Sequence, residues 1–404
     1  MSLIIQKFGG TSLANIECMQ AVTDIILKAK NAGHDVVVVV SAMHGETDRL
    51  ILLSKQITEI PDSREYDALV STGECVSAAL LSLLLQKKGF LACSLTGQQA
   101  EIKTIGAHQR AEIHDITGNK LRELLFKGVI PVVTGFQGMN EMNEVTTLAR
   151  GGSDLTAIAI AAALKADECD IYTDVEGIFT SDPRVVTQAK LLDKITYAEM
   201  LALASLGAKV MQKKAVEYAK ANRIKIRVLS SFKSGTGTLI SDDENVKKPL
   251  VSGVAFERRQ SKLSILGIPK KTETVNFILN VMQTLNFEVD MTMQHFSAQD
   301  ETIDFSFTVH LDDYPVAFDF TNKLAKNISA REVVSDKTVA KLSVVGLGME
   351  SHAGFSSKIF QTLNAEGIHI YSISSSEAKI STVIDAKHME FGARLLHKAF
   401  DLEC

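Results

Sequence analysis

Little in this sequence points to an oxidising compartment, a metal cage or a membrane. Its five cysteines, Cys18, Cys75, Cys93, Cys169 and Cys404, are scattered, with no CxxC pair and no nearby histidine at ligand spacing. They signal neither a disulfide framework nor a zinc site, and read as small core side chains. No apolar run approaches the roughly 18 residues of a membrane span. The N-terminus lacks the charged start and long apolar stretch of a signal peptide, so the expectation is a cytoplasmic chain. Positive charge is also short, since 43 Lys and Arg against 48 Asp and Glu leave a net charge of -5. That balance argues against a nucleic-acid partner and says nothing for a membrane one. Any anionic ligand must be held by local positive groups, against the mean field.

What is present is an ordinary globular composition, 404 residues at 46% hydrophobic and 23% charged, long enough for two or three domains. As far as about residue 240, short β-branched runs alternate with helical stretches. Val36 to Val40, Val129 to Thr134, Cys169 to Thr173 and Ile224 to Leu229 read as strands, and five consecutive valines suit a strand buried on both faces. Ser77 to Lys88, closed by Gly89, and Asp154 to Lys165, beside a Gly-Gly-Ser turn, read as helices. The alternation implies a mostly parallel sheet between helical layers.

The polar stretch Ser241 to Pro249 reads as a linker, and beyond it lies an internal repeat. KLSILGI (Lys262 to Ile268) matches KLSVVGL (Lys341 to Leu347), FEVDMTMQ matches IHIYSISS, and IDFSFTV matches KISTVID. Two βαββαβ units of the ferredoxin-like kind are implied. The second copy is one strand short, because the chain reaches Cys404 directly after its last helix, whereas the first has Arg331 to Val334 as a closing strand. Val251 to Phe256 is available to fill that edge, which inserts the first unit in the second.

Five constellations stand at strand-to-helix junctions, where open α/β sheets bind ligands. KFGGTS places Lys7 before Gly9 and Gly10, a charge beside amides that can face an anion; the lysine precedes the glycines, unlike a P-loop. A tight turn explains it equally well. VVSAM delivers Ser41 from a buried strand, with Thr47 beyond. STGE offers Glu74 to an ammonium group, or to the dipole of its own helix. TLARGGSD sets Arg150 beside Gly151, Gly152, Ser153 and Asp154 at a helix N-terminus, an anion site in which Ser153 or Asp154 could also be the N-cap. YTDVEGIFTSDPR carries Asp174, Asp182 and Arg184 on a long loop, and SLGAKVM carries Lys209.

These motifs occur in this order and spacing in aspartate kinases, members of the amino acid kinase family, which the whole chain resembles; the repeats resemble that family's paired ACT domains. The resemblance implies a three-layer αβα sandwich over residues 1–245, then ACT domain 1 at 262–335 inserted in ACT domain 2 at 250–261 and 336–404. It implies ATP and L-aspartate as substrates with Mg²⁺, no metal being assigned to protein ligands. Lys7 would hold the migrating phosphoryl group, and Asp154 would orient Lys7 or place Mg²⁺. Ser41, Thr47, Glu74, Arg150, Gly151, Gly152 and Ser153 would bind aspartate. Lys7, Phe8, Gly9, Gly10, Thr173, Asp174, Phe179, Asp182, Arg184 and Lys209 would form the nucleotide site. Asp290, Gln294, Ser375 and Glu377 match effector positions, with lysine or threonine as effector and a homodimer or higher homo-oligomer built through the ACT domains.

The chain departs from the family pattern at Ala149, at Gln212 to Lys214, and after Pro269, where Lys270 to Thr274 replaces an Asp-x-Pro-Gly turn. Two alternatives stay open: another kinase of this fold, or a catalytically inactive amino-acid sensor.

Overall fold

Valine-rich stretches form strands where both faces are covered, and Asp35–Val40 does so with all five valines at 0% exposed. The computed structural model describes residues 2–149, 151–204, 211–242, 250–269, 277–278, 289–297, 302–347, 349 and 353–403. They fall into two compact units, Met1–Phe179 with Leu191–Lys248, and Thr180–Lys190 with Pro249–Cys404.

The first unit is built on an eight-stranded sheet in the order Lys194–Ile195, Thr238–Ile240, Ile226–Ser230, Glu168–Thr173, Leu3–Phe8, Asp35–Val40, Ile130–Thr134, Ala92–Leu95. Six of these strands run parallel to one another; Thr238–Ile240 runs against Ile226–Ser230 and carries Lys194–Ile195 with it. Leu3–Phe8 is central, with Phe8 opposite Val40 on one side and Tyr172 on the other. In a parallel sheet this register brings Lys7, Ser41 and Thr173 to one edge.

Side-chain alternation decides which of those residues can face a ligand. Phe8 is wholly buried, stacked on Tyr172 with ring centroids 4.8 Å apart, in a core with Met19, Val22, Val38, Leu81 and Leu85. That core lies under the helices Ile16–Asn31 and Thr72–Lys87. Lys7, next in the chain, points to the opposite face, where Gly152–Leu164 packs. This last helix is buried nearly all round, which fits its Ala and Ile content.

The helix expected from Ser77 starts earlier than the sequence reading placed it. Thr72–Lys87 starts five residues before Ser77, because its first turn holds Glu74 against the helix dipole and Gly73 lets it approach Ala42. With Ser63–Val70 before it, Ser63–Lys87 is long and apolar enough to pass for a membrane span, contrary to the expectation that no stretch would be. It is a core helix: Asp67 and Glu74 are buried on it, as are Val70, Ala78, Leu81 and Leu85. A second sheet, Glu112–Ile116, Ile102–Ile105, Gln137–Met139, Val145–Thr147, completes this unit.

The second unit is a six-stranded antiparallel sheet in the order Val289–Ser297, Thr302–His310, Val251–Pro269, Glu332–Gly346, Lys379–Asp385, Ile370–Ser376. Its two long strands serve both sequence copies. Val251 to Glu257 pairs with Lys341 to Gly346 of the second copy, while Gln260 to Pro269 pairs with Thr302 to His310 of the first. The first ferredoxin-like unit is therefore inserted in the second. The copies share internal detail: Ser264 Oγ lies 2.8 Å from Ser306 Oγ, and Ser343 Oγ 2.7 Å from Ser381 Oγ, the same cross-strand pair in each.

Thr180–Lys190 belongs to this unit, although the sequence reading placed it within the kinase domain and its first residues, to Arg184, in the nucleotide loop. Val185 and Val186 enter the core with Val254, Leu342, Leu363 and Leu396. The Thr180 carbonyl accepts from Val254 N–H at 2.7 Å, and its hydroxyl lies 2.9 Å from His397 Nε2. Gly253 permits this approach, since a Cβ there would stand 2.6 Å from the Thr180 carbonyl oxygen.

Candidate active site

Lys7, Gly10, Ser41, Thr47, Glu74, Gly151, Gly152, Ser153 and Asp154 line one cavity of about 400 Å³ in the first unit. Tyr66, Gln109 and Thr147, to which the sequence reading gave no role, line it too. The expected residues arrive on several elements, four of them (Gly151 to Asp154) at the start of one helix, and the local chemistry explains the delivery. Ser41 leaves its strand with its amide bonded to the Phe8 carbonyl at 3.1 Å. Gly10 brings the first turn against this loop, since a Cβ would lie 3.0 Å from the Ala42 carbonyl oxygen. Gly151 caps the following helix at φ +80°, with Gln212 so close that a side chain there would collide. Ser153 sits against Gly135, where a Cβ would approach within 2.6 Å.

Lys7 Nζ lies 2.6 Å from Asp154 Oδ1, an ion pair with both side chains about a tenth exposed. The contact is close but off hydrogen-bond alignment, so Asp154 Oδ1 is a buried acceptor without a hydrogen bond. The Gly9 amide is spent on the Tyr172 carbonyl at 3.2 Å, so it does not face an anion as the sequence suggested. Phe8 offers no side chain to a ligand, because it stands on the core side of its strand.

Glu74 is 3% exposed. Its Oε1 accepts from the Ala42 amide at 3.1 Å, and its Oε2 has no hydrogen-bond partner. Burial pushes its pKa up to about 7, against the opposing pull of the amide bonds. A buried carboxylate with one orphaned oxygen on a cavity wall is an acceptor awaiting a donor.

Of the expected nucleotide residues, Thr173 and Asp174 are adjacent at the strand end, the Thr173 hydroxyl donating to Asp174 Oδ1 at 3.1 Å. Phe179 bridges to Leu191, closing the base of the loop. Arg184 forks onto Asp182 at 2.8 to 3.2 Å, and both lie in the segment that folds with the second unit. Arg150 and Lys209 lie outside the described residues, as does the departure at Lys270 to Thr274 and most of the linker. Lys233, bonded to Glu176 at 2.6 Å beside this strand end, was given no role by the sequence reading, which took its stretch SSFKSGTGTLI only as the close of the kinase domain. Among the described residues no group of three or more His, Cys, Asp or Glu could hold a metal ion.

Of the effector positions, Asp290 and Gln294 are on Val289–Ser297, Ser375 is on Ile370–Ser376, and Glu377 follows it. The two strands are the open edges of the sheet. Asp290 is ion-paired to Lys341, a lysine only 2% exposed that also meets Glu257 at 3.2 Å.

A carboxylate-lined cavity with a lysine at the C-terminal edge of such a sheet, joined to an ACT pair, defines a small-molecule kinase of the amino acid kinase class. Residues 2–230 match the amino acid kinase family, and residues 342–400 an ACT domain. An aspartate kinase of Pseudomonas putida is 50% identical over 405 residues, covering 100% of this chain and 98% of its own length. Aspartokinase 2 of Bacillus subtilis is 43% identical over 403 residues, with the same coverage. The crystal structure of E. coli aspartokinase III in complex with aspartate and ADP (R-state) superposes with a TM-score of 0.80 at 25% identity, covering 98% of this chain and 99% of that one. The chain belongs to the aspartate kinases, phosphotransferases with a carboxyl acceptor.

Proposed function

We propose that the chain transfers the γ-phosphoryl group of Mg-ATP to the β-carboxylate of L-aspartate, giving 4-phospho-L-aspartate and ADP, the step that opens lysine, threonine and methionine synthesis. The observation that carries this reading is the pairing, in one cavity, of an orphaned buried carboxylate, Glu74, with the lysine Lys7. One takes an ammonium group and the other takes phosphate, the two ends an amino acid kinase has to hold.

A β-carboxylate has a reference pKa near 3.9 and is already ionised at neutral pH, so it attacks phosphorus without a general base. A carboxylate oxygen forms the new P–O bond as the bond to the bridging oxygen of ADP breaks. The obstacle is charge. Two unit charges about 4 Å apart repel by roughly 4 kcal/mol at an effective dielectric of 20, and ATP carries several. Lys7 therefore acts by neutralising and positioning the phosphoryl group, and Asp154 by fixing the lysine ammonium. The Gly10 amide supplements it. Glu74 takes the substrate ammonium; Ser41, Thr47, Arg150 and the Gly151–Ser153 turn take its carboxylates. Thr173, Asp174, Phe179, Asp182, Arg184 and Lys209 serve the nucleotide. Magnesium would enter with the phosphates, neutralising their charge, and Asp154 is the carboxylate suited to it.

Regulation is the second part of the proposal. The crystal structure of E. coli aspartokinase III in complex with lysine and aspartate (T-state) is 25% identical to this chain with a TM-score of 0.79. Lysine or threonine binding near Asp290, Gln294, Ser375 and Glu377 would shift this enzyme between states. The open edges Val289–Ser297 and Ile370–Ser376 favour a homo-oligomer through the ACT units, at 262–335 and at 250–261 with 336–404, after a kinase domain at 1–245. A cytoplasmic location fits this chemistry.

A coupled assay of ADP release with Mg-ATP tests the reading, with L-aspartate, L-glutamate and UMP as acceptors, repeated with lysine and threonine. Aspartate-dependent release supports it. Release without aspartate dependence overturns it, and insensitivity to both amino acids overturns the regulatory part alone.

A further inference from the structure

Asp67 is a fully buried carboxylate, 0% exposed, on Ser63–Val70. Its oxygens accept from the Gln109 amide at 3.0 and 3.2 Å, the Thr147 amide at 2.9 Å, the Thr147 hydroxyl at 2.5 Å and His108 Nδ1 at 2.9 Å. Among the described residues no lysine or arginine pairs with it; its charge is met by amides, a hydroxyl and one imidazole. Burying a carboxylate is costly, so a site that does so is fixed in geometry by the donors that compensate it.

Both residues whose amides it holds line the substrate cavity, and so do Tyr66 and Val70 of its own helix. One carboxylate thus joins three separate pieces of the cavity wall. Gln109 moreover has φ +67°, a left-handed conformation that a glutamine adopts only when its surroundings impose it. The Asp67 bond to its amide is such a constraint.

We infer that Asp67 is a positioning residue for L-aspartate, holding Gln109 in a strained backbone conformation so that its side-chain amide donates to a substrate carboxylate. The inference rests on the kinase reading above. Asp67 itself touches neither substrate nor nucleotide. The consequence is selective: losing Asp67 loosens the acceptor side of the cavity and leaves the nucleotide side alone.

The experiment is steady-state kinetics of the full-length enzyme with L-aspartate and Mg-ATP, beside thermal melting, for wild type, Asp67→Asn, Gln109→Gly and the double variant. Wild-type aspartate-dependent ADP release is read first; its absence sinks the kinase reading rather than this one. Given wild-type activity, Asp67→Asn raises KM for L-aspartate about tenfold with KM for Mg-ATP within about twofold. Gln109→Gly raises KM for L-aspartate by about the same tenfold without lowering the melting temperature, because glycine relieves the strained φ. The double variant is no worse than Asp67→Asn, since both act through the same side chain. Should Asp67→Asn not fold, Thr147→Val against Thr147→Ser decides together with Gln109→Gly: valine removes the hydroxyl donor to Asp67 and raises KM for L-aspartate, and serine restores it. A lowered melting temperature with unchanged KM for L-aspartate, or fully additive effects in the double variant, overturns the inference.

Discussion

Lys7 Nζ and Asp154 Oδ1 are 2.6 Å apart, one on the central strand and the other in the first turn of the helix that covers it. The pair bridges two of the elements that open onto the cavity, and the aspartate fixes where the ammonium can stand. Removing Lys7 therefore has two effects. Lys7→Met lowers kcat by about 10²- to 10³-fold, the scale of one preorganised transition-state donor. It also leaves Asp154 buried and unpaired, at a cost of about 3–5 kcal/mol. Lys7→Met with Asp154→Asn recovers much of the stability and none of the turnover. Urea unfolding beside single-turnover kinetics checks both, and a double variant as unstable as the single one contradicts the pairing.

Glu74 makes aspartate binding depend on pH. Burial raises its pKa from 4.5 to about 7, so between those values the folded protein keeps a proton that the unfolded chain has lost. This group's contribution to stability therefore falls as pH rises from about 4.5 to 7 and is constant above. A substrate ammonium favours the ionised form, so aspartate binding releases a proton below about pH 7. KM for L-aspartate should fall from pH 6 to pH 7.5. In Glu74→Gln it should be flat and about ten- to a hundredfold higher, the loss of one charged hydrogen bond. Calorimetry in two buffers of different ionisation enthalpy reads the proton directly.

His397 gives the second unit the opposite trend. It is 0% exposed, its Nε2 meets the Thr180 hydroxyl and its Nδ1 has no partner. Burial lowers its pKa below the usual 6.5, with Lys190 adding to the shift and Glu403 opposing it. The unfolded chain then binds the proton first, so its contribution to stability is present above about pH 6.5 and is lost as pH falls below it. Denaturant unfolding at pH 5.5 and 7.5 should show this loss in wild type and not in His397→Asn, which also costs about 1 kcal/mol through the Thr180 bond. An identical pH slope in both proteins argues against it.

The serine pairs test the repeat energetically. Ser343→Ala strands the Ser381 hydroxyl in the sheet interior and costs about 1–3 kcal/mol. Replacing both serines should cost no more than replacing one. Full additivity at 343 and 381 would mean that the hydroxyls do not bond each other.

Much of this was legible because buried strands leave an unambiguous record. Val36 to Val40 and the two KLS repeats are apolar on a period that only a covered sheet explains, and the missing final strand of the second repeat pointed to the insertion. Lys7 and Asp154 were visible because glycine turns mark the strand-to-helix junctions where they lie, and Glu74 through its STGE motif, although that motif follows the helix Ser63–Val70 and not a strand as the sequence suggested. Phe8 was misplaced for a reason intrinsic to strands: neighbours in a motif point to opposite faces, and a motif does not say which face is wet. The Asp67 network left no trace, since it joins residues 42 and 80 positions apart through backbone amides. Thr180–Lys190 was unreadable for a related reason, as two valines after an Asp-Pro turn are too few to announce a core.

The most direct test of the account is the chemical identity of the product. An acyl phosphate reacts with hydroxylamine, whereas a phosphate ester does not, so trapping during turnover with Mg-ATP and L-aspartate should yield the β-hydroxamate of aspartate in step with ADP. Lys7→Met should yield neither. ADP released by the wild-type enzyme without hydroxamate would contradict phosphorylation of the β-carboxylate and with it the roles given to Lys7 and Glu74.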